Sequence, residues 1–255
     1  MGFGGLFPFE REVFSLKGNG KLISITQKGS VRTLKCNGFI YSRIDKNSVY
    51  THEYWDFFMP LAFIAREPKI AMIGLGGGTI AFQFLSLPGR PSMDILETDK
   101  EMAEACRIFV GSRQEGSLNI IMEDGSAYIR KRNLALDLII LDAYGPDGKI
   151  PEQFCGKQFV SEAYAALKDK GVLAVNCIGS MLGPSLDSLV QNLSERFEVY
   201  RVDTAGYTAN IVLVCTKNIG REELVSKSTE GIRALKKSEF LVNAYSNIKR
   251  VFISV

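Results

Sequence analysis

A single histidine (His52), a single tryptophan and no pair of cysteines at CxxC spacing leave this chain of 255 residues poor in metal-ligating groups, and no metal site is expected. The five cysteines (Cys36, Cys106, Cys155, Cys177, Cys215) are odd in number, widely scattered and in several cases set inside apolar runs. That usage predicts reduced, buried thiols and excludes a disulfide framework. Charge of one sign is also scarce. A net charge of +3 is too small to predict nucleic acid or an anionic membrane as partner, and Arg233, Lys236, Lys237, Lys249 and Arg250 read as a solvated face. No apolar run approaches the roughly 18 residues of a membrane span. The start, Met1–Leu6, has no basic n-region, and Leu6 stands where N-myristoylation needs Ser or Thr. The expected location is cytoplasmic.

Glycine, by contrast, is plentiful, and one cluster of it is informative. Gly74-Leu75-Gly76-Gly77-Gly78-Thr79 follows the apolar run Ile70-Ala71-Met72-Ile73 and opens into Ile80–Leu85. Strand, glycine turn and helix N-terminus together make a cradle in which backbone N–H groups can meet a ligand at close range. Glu97 ends the next apolar run, about 20 residues on, the spacing at which an acid recognises ribose. A nucleoside-bearing small molecule is the expected ligand.

The rest of the chain divides near residue 53. Residues 1–53 carry turn pairs (Asn19-Gly20, Lys28-Gly29, Asn37-Gly38) between short β-prone runs at 22–26, 31–36 and 39–42, which predicts a small antiparallel β domain. An aromatic segment, 54–66, is expected to form a helix bent or restarted at Pro60. Residues 54–255 are then expected to form one α/β domain. Strand-like runs near 70–75, 93–97, 118–122, 136–141 and 171–177 alternate with helix-like segments near 79–87, 100–110, 125–132 and 157–168. That alternation predicts a Rossmann-like, doubly wound, mostly parallel sheet. After a helix near 184–195, the runs 199–202 and 210–216 are too closely connected for a parallel crossover, so an antiparallel pair should close the sheet. Residues 221–255 read as a surface helix or two and a last strand over 250–255.

In such sheets the ligand lies beyond the carboxyl ends of the strands. Those ends carry, in order, Gly74, Gly76, Gly77 and Gly78, then Glu97, then Asp124-Gly125, then Asp142. Any one of these acids would also serve as a cap or a surface charge. Four successive ends bearing glycine or carboxylate point to one site.

The pieces GLGGGT (74–79), LETD (96–99), EDGSAY (123–128), LIILDAY (138–144) and the run from Ile150 to Asn176 are similar to the spermidine synthase (polyamine aminopropyltransferase) family, which shares the fold of S-adenosylmethionine-dependent methyltransferases. The segments Arg196–Val202 and Asn210–Val214 resemble its closing strands. The resemblance implies that Glu97 accepts both ribose hydroxyls, that Asp124 accepts from the adenine amino group, and that Asp142 handles the attacking amine. It implies decarboxylated S-adenosylmethionine or S-adenosylmethionine as co-substrate, a small-molecule amine as acceptor, and a homodimer or homotetramer. His52 and Glu53, within a blurred copy of the family's amine-gripping segment, and Tyr144 and Asp147, in a lid-like loop over 143–156, are the remaining candidate substrate residues.

Two positions depart from the family pattern. Gly77 stands where the family loop usually has Asp, so the loop's N–H groups should be bare and open to a carboxylate. Gly145 stands where a second acid is expected three residues after Asp142. A methyltransferase using intact S-adenosylmethionine, and a nucleoside-binding protein without turnover, therefore stay open beside aminopropyl transfer. An NAD-dependent oxidoreductase is more distant, because Thr79 replaces the third glycine of that fingerprint.

Overall fold

Asn-Gly turns set the first sheet. A computed structural model describes residues 9–88, 91–111, 119–145, 148–202, 204 and 209–251. Asn19-Gly20 and Asn37-Gly38 all have positive φ, the two-residue hairpin geometry that matches strand twist. They join β1 (Arg11–Gly18) to β2 (Lys21–Lys28) and β3 (Val31–Cys36) to β4 (Phe39–Asp45), in an antiparallel meander of order β1-β2-β3-β4. The first strand, Arg11–Gly18, goes beyond the runs expected from sequence. Its residues are mostly exposed and alternate only weakly, so no apolar pattern announced it.

The segment Tyr54–Phe63 forms 3₁₀ turns rather than an α-helix, with Pro60 inside and Trp55 to Ala62 buried. It leads to the large sheet, built from β5 (Lys69–Ile73), β6 (Ser92–Glu97), β7 (Asn119–Met122), β8 (Leu136–Leu141), β9 (Leu167–Ile178), β10 (Glu198–Val202), β11 (Asn210–Thr216) and β12 (Lys249–Arg250). Its order is β12-β10-β11-β9-β8-β5-β6-β7. Strands β5 to β9 run parallel, while β11 is antiparallel to β9, and β10 to β11. The chain thus steps outward from β5 to β7, then returns to the other side of β5 with β8. The crevice between β5 and β8 is the switch point where such sheets bind ligands.

Helices α1 (Thr79–Ser86), α2 (Lys100–Val110), α3 (Gly125–Arg130), α4 (Lys157–Ala166), α5 (Gly179–Ser194), α6 (Arg221–Arg233) and α7 (Glu239–Ser246) connect and cover the strands. Both sheet faces are buried. Ile70, Met72, Leu138 and Ile140 enter one apolar cluster, and Ala71, Ile73, Ile139 and Leu141 the other. That is the period-two division expected of parallel strands covered on both sides. The first cluster also takes in Ile23, Ile25, Leu34 and Ile44 from the N-terminal sheet and Ala105, Cys106 and Phe109 from α2, so the two sheets share a core. The C-terminal helices are more than surface cover. Leu224, Ile232, Leu241 and Tyr245 are buried, and the Tyr245 hydroxyl donates to the Phe57 carbonyl at 2.7 Å. The last strand is the two-residue β12, and 252–255 lie outside the described residues. Helix α5 begins several residues earlier than its apolar pattern suggested, at Gly179. Among the described residues no helix is long and apolar enough to cross a membrane.

Candidate active site

The glycine loop lies between β5 and α1, and its backbone shape is what brings the site together. Gly74 has φ 86°, and a Cβ there would lie 2.5 Å from the carbonyl oxygen of Asp142. Only glycine lets β5 and β8 end this close, so the loop and Asp142 become neighbours. Gly76 (φ 57°) and Gly78 (φ 95°) continue the left-handed course of the turn.

Glu97, at the end of β6, closes one side. Its carboxylate accepts from the backbone N–H of Leu75 (3.2 Å), Thr98 (2.7 Å) and Asp99 (2.8 Å). Burial pushes its pKa up, and these three N–H bonds only partly offset it. Asp124 is the N-cap of α3, accepting from the Ala127 N–H (3.0 Å) and the Ser126 hydroxyl (2.6 Å). Gln153, from the short 3₁₀ turn Glu152–Phe154, also donates to it at 2.8 Å, so the loop after β8 reaches across to the end of β7. Burial would raise the Asp124 pKa, but the bonds from Ser126, Ala127 and Gln153 outweigh it and hold the carboxyl low. Gly125 is buried directly after this cap, against Ile73.

Asp142 is held differently. Asn176 Nδ2 donates to Oδ1 at 2.7 Å, and the Tyr54 hydroxyl lies at 3.2 and 3.4 Å from the two oxygens. Burial raises its pKa to about 6, although the bonds from Asn176 and Tyr54 pull the other way. Burial and the neighbouring Asp142 push the Tyr54 phenol well above its ordinary value, so it stays a donor. Asn176 itself is 1% exposed; its Oδ1 accepts from Asn210 Nδ2 (2.8 Å) and its carbonyl from the Tyr144 hydroxyl (2.7 Å).

Of the candidate residues, the structure brings the glycines, Glu97, Asp124, Gly125, Asp142 and Tyr144 to the same end of the sheet. His52 and Glu53 do not bond to Asp142. The exposed His52 has φ 59° and lays its ring on Phe240 (5.7 Å between centroids), while Glu53 pairs with Arg43 at 3.2 Å. Asp147 lies outside the described residues. The expectation of bare amides at Gly77 fails. The N–H groups of Gly77 and Thr79 both donate to Ser42 Oγ, at 3.0 and 3.3 Å, and a Cβ at Gly77 would lie 2.5 Å from Ser42 Cβ. An acid cannot simply be restored at position 77.

Sequence reading missed Tyr54, Ser42, Asn176 and Asn210 as members of this region. Two carried a usable signal. Asn176 ends the apolar part of β9, next to β8, and Asn210 begins the antiparallel β11, so both fall at the ligand end of the sheet. Reading the strand ends past Asp142 would have found them.

The spermine/spermidine synthase domain model matches residues 57–208, more than half of the chain. The chain belongs to the spermine/spermidine synthase domain family. The polyamine aminopropyltransferase of Agathobacter rectalis is 27% identical over 176 residues, covering 67% of this chain and 57% of that protein. The chain thus matches less than two thirds of the length of that curated relative. The fold is similar to that of the spermidine synthase from Thermotoga maritima, with a TM-score of 0.69, 18% identity and 92% of this chain and 84% of that chain covered. Human methyltransferase-like protein 13, crystallised with SAH, is similar at a TM-score of 0.58 and 23% identity, over 72% of this chain and 88% of that one. The synthase-family frame, with its methyltransferase-like sheet and added N-terminal meander, is the one the sequence predicts.

Proposed function

We propose that this member of the synthase family transfers an aminopropyl group from decarboxylated S-adenosylmethionine to a small-molecule amine. The observation that carries the reading is Asp142. It stands at the β5–β8 crevice against the glycine loop, with a pKa raised to about 6 and two side-chain donors orienting it. An amine has a pKa near that of lysine, about 10, and must lose a proton before it can attack. A carboxylate of raised pKa both attracts the ammonium and accepts its proton better than an ordinary one. The amine nitrogen then forms a bond to the propyl carbon next to the sulfonium. The carbon–sulfur bond breaks with its electron pair going to sulfur, and neutral methylthioadenosine leaves.

In this reading Glu97 takes a ribose hydroxyl on the lone pair left over at Oε2, since Oε1 already accepts from Thr98 and Asp99 and Oε2 from Leu75. Asp124 and Gln153 border the base. Gly76 is the one position from Gly74 to Thr79 whose N–H has no acceptor among the described residues, which leaves it as the loop amide for the ligand. Asp147 or Glu53 supplies a second negative charge for a diamine, in place of Gly145. The capped amides of Gly77 and Thr79 weaken the case for methyl transfer from intact S-adenosylmethionine, because they offer its carboxylate no anchor. The units 1–53 and 54–255, a cytoplasmic location and a homodimeric or homotetrameric state belong to the same proposal.

Incubating the protein with each sulfonium nucleoside and a panel of primary amines, followed by mass spectrometry, tests it. Methylthioadenosine and an amine heavier by one aminopropyl group are the expected products. S-adenosylhomocysteine and a methylated product would replace this reading with methyl transfer.

A further inference from the structure

Helix α1 lacks the usual device for satisfying its first N–H groups. Its N-cap is Gly78, which has no side chain to offer, and the Thr79 hydroxyl is turned away into a reciprocal pair with Arg43. In that pair the hydroxyl donates to the Arg43 carbonyl (3.0 Å) and accepts from its N–H (3.1 Å). The cap comes instead from another sheet. Ser42, 1% exposed on β4, places its Oγ where the N–H groups of both Gly77 and Thr79 reach it. A buried N–H left without an acceptor is costly, so this hydroxyl has a definite energetic role. Shape enforces the same pairing: a Cβ on Gly77 would meet Ser42 Cβ at 2.5 Å, Ser42 Oγ at 2.7 Å and Leu34 Cδ1 at 3.2 Å.

We infer that Ser42 is a positioning residue for the nucleoside site. Supplied by the N-terminal sheet, it caps α1 from outside and fixes the glycine loop in the open cradle that faces Glu97 and Asp142. The inference rests on the nucleoside-binding part of the proposed function. It adds that the N-terminal sheet is an integral support of that site. It also accounts for Gly77: the space a side chain would need there is filled by Ser42, and the two positions act as one unit. The amides of Gly77 and Thr79 are turned into the protein by this contact, so the cradle is shaped by Ser42 without Ser42 touching the ligand.

The test uses the full chain and two readouts. Amide hydrogen exchange at Gly77 and Thr79, followed by NMR without ligand, reads the loop directly. Calorimetry with methylthioadenosine reads the site. Ser42→Ala is expected to speed exchange at both amides and to raise the methylthioadenosine Kd about tenfold, the scale of a lost helix cap. With decarboxylated S-adenosylmethionine as substrate, the loss should fall mainly on its KM rather than on kcat. A lower Tm with exchange and Kd unmoved would make Ser42 merely structural and overturn the inference. Should Ser42→Ala fold poorly, Gly77→Ala serves as the second variant. It should weaken binding more in the parent than beside Ser42→Gly, and equal losses in both backgrounds would overturn the coupling. A parent that binds no nucleoside while its exchange responds to Ser42→Ala would sink the proposed function and leave the cap standing.

Discussion

Glu97, at the end of β6 on the side of the cleft assigned to the nucleoside, is held by three backbone N–H groups, and Asp124 by one backbone N–H and the side chains of Ser126 and Gln153. Asp142, across the glycine loop, is held instead, among the described residues, by the side chains of Asn176 and Tyr54. Backbone amides at a strand end are fixed by the fold, so Glu97 is rigid and gives up some of its charge to the protein, and the cap that Asp124 makes to the Ala127 N–H ties it to the start of α3. Asp142 has only Asn176 and a loosely placed Tyr54, and burial leaves its charged form poorly compensated. One side is built to hold a ligand still, the other to exchange a proton. Carboxylates identical in chemistry are divided between those tasks by what donates to them.

Three substitutions can break or sharpen this contrast. The largest effect is expected from Asp142→Asn, which should lower turnover by roughly 100-fold or more while leaving methylthioadenosine affinity nearly intact. The same change should raise stability at pH 8. The folded protein keeps the Asp142 proton to about pH 6, while an unfolded aspartate releases it near 4. Between those values the native state binds more protons than the unfolded one. Stability therefore falls as pH rises through that window and stays lower above it, by at most about 3 kcal/mol. Unfolding curves of the two proteins at pH 4 and pH 8 check this: the asparagine variant should gain on the parent only at the higher pH. A variant equally stable at both would place Asp142 among the compensated acids.

Next in size, Glu97→Gln should weaken methylthioadenosine by about 1.5–3 kcal/mol, the range for a hydrogen bond to a charged group, measured by calorimetry. Affinity equal to the parent's would show that the ribose lies elsewhere. The smallest effect concerns the acid limb of the pH–rate profile, expected near pH 6 from Asp142. Tyr54→Phe removes a bond that lowers that pKa, so the limb should move to higher pH by several tenths of a unit, the equivalent of about 0.5 kcal/mol. A limb that stays in place would mean that Tyr54 does not donate to Asp142 in the working enzyme.

What sequence could tell depended on whether a residue's role is local. Gly74–Thr79, Glu97, Asp124 and Asp142 each sit at the end of an apolar run, and the turn from strand to helix is written in neighbouring residues. The βα alternation and the antiparallel closing pair were legible for the same reason. His52 and Glu53 were placed by motif alone, in a segment whose register the 3₁₀ turns decide; there the buried Asp56 gathers the N–H groups of Thr51 and His52 and faces Gln83. Tyr54, one residue on, is the side chain that segment delivers to Asp142.

The sequence by itself determined the βα alternation from β5 onward, the glycine turn, and the acids at successive strand ends, because period, turn chemistry and chain direction act over a few residues. Tertiary structure alone decided that Asp142 would meet Asn176 and Tyr54, and that Gln153 would reach Asp124 and Leu75 would reach Glu97. It also decided that Ser42, on a different sheet, would cap α1 and leave no room for a side chain at Gly77. Asn176 lies 34 positions from Asp142 and Ser42 lies 35 from Gly77; contacts at such range depend on how sheets and helices pack, and no local pattern encodes them.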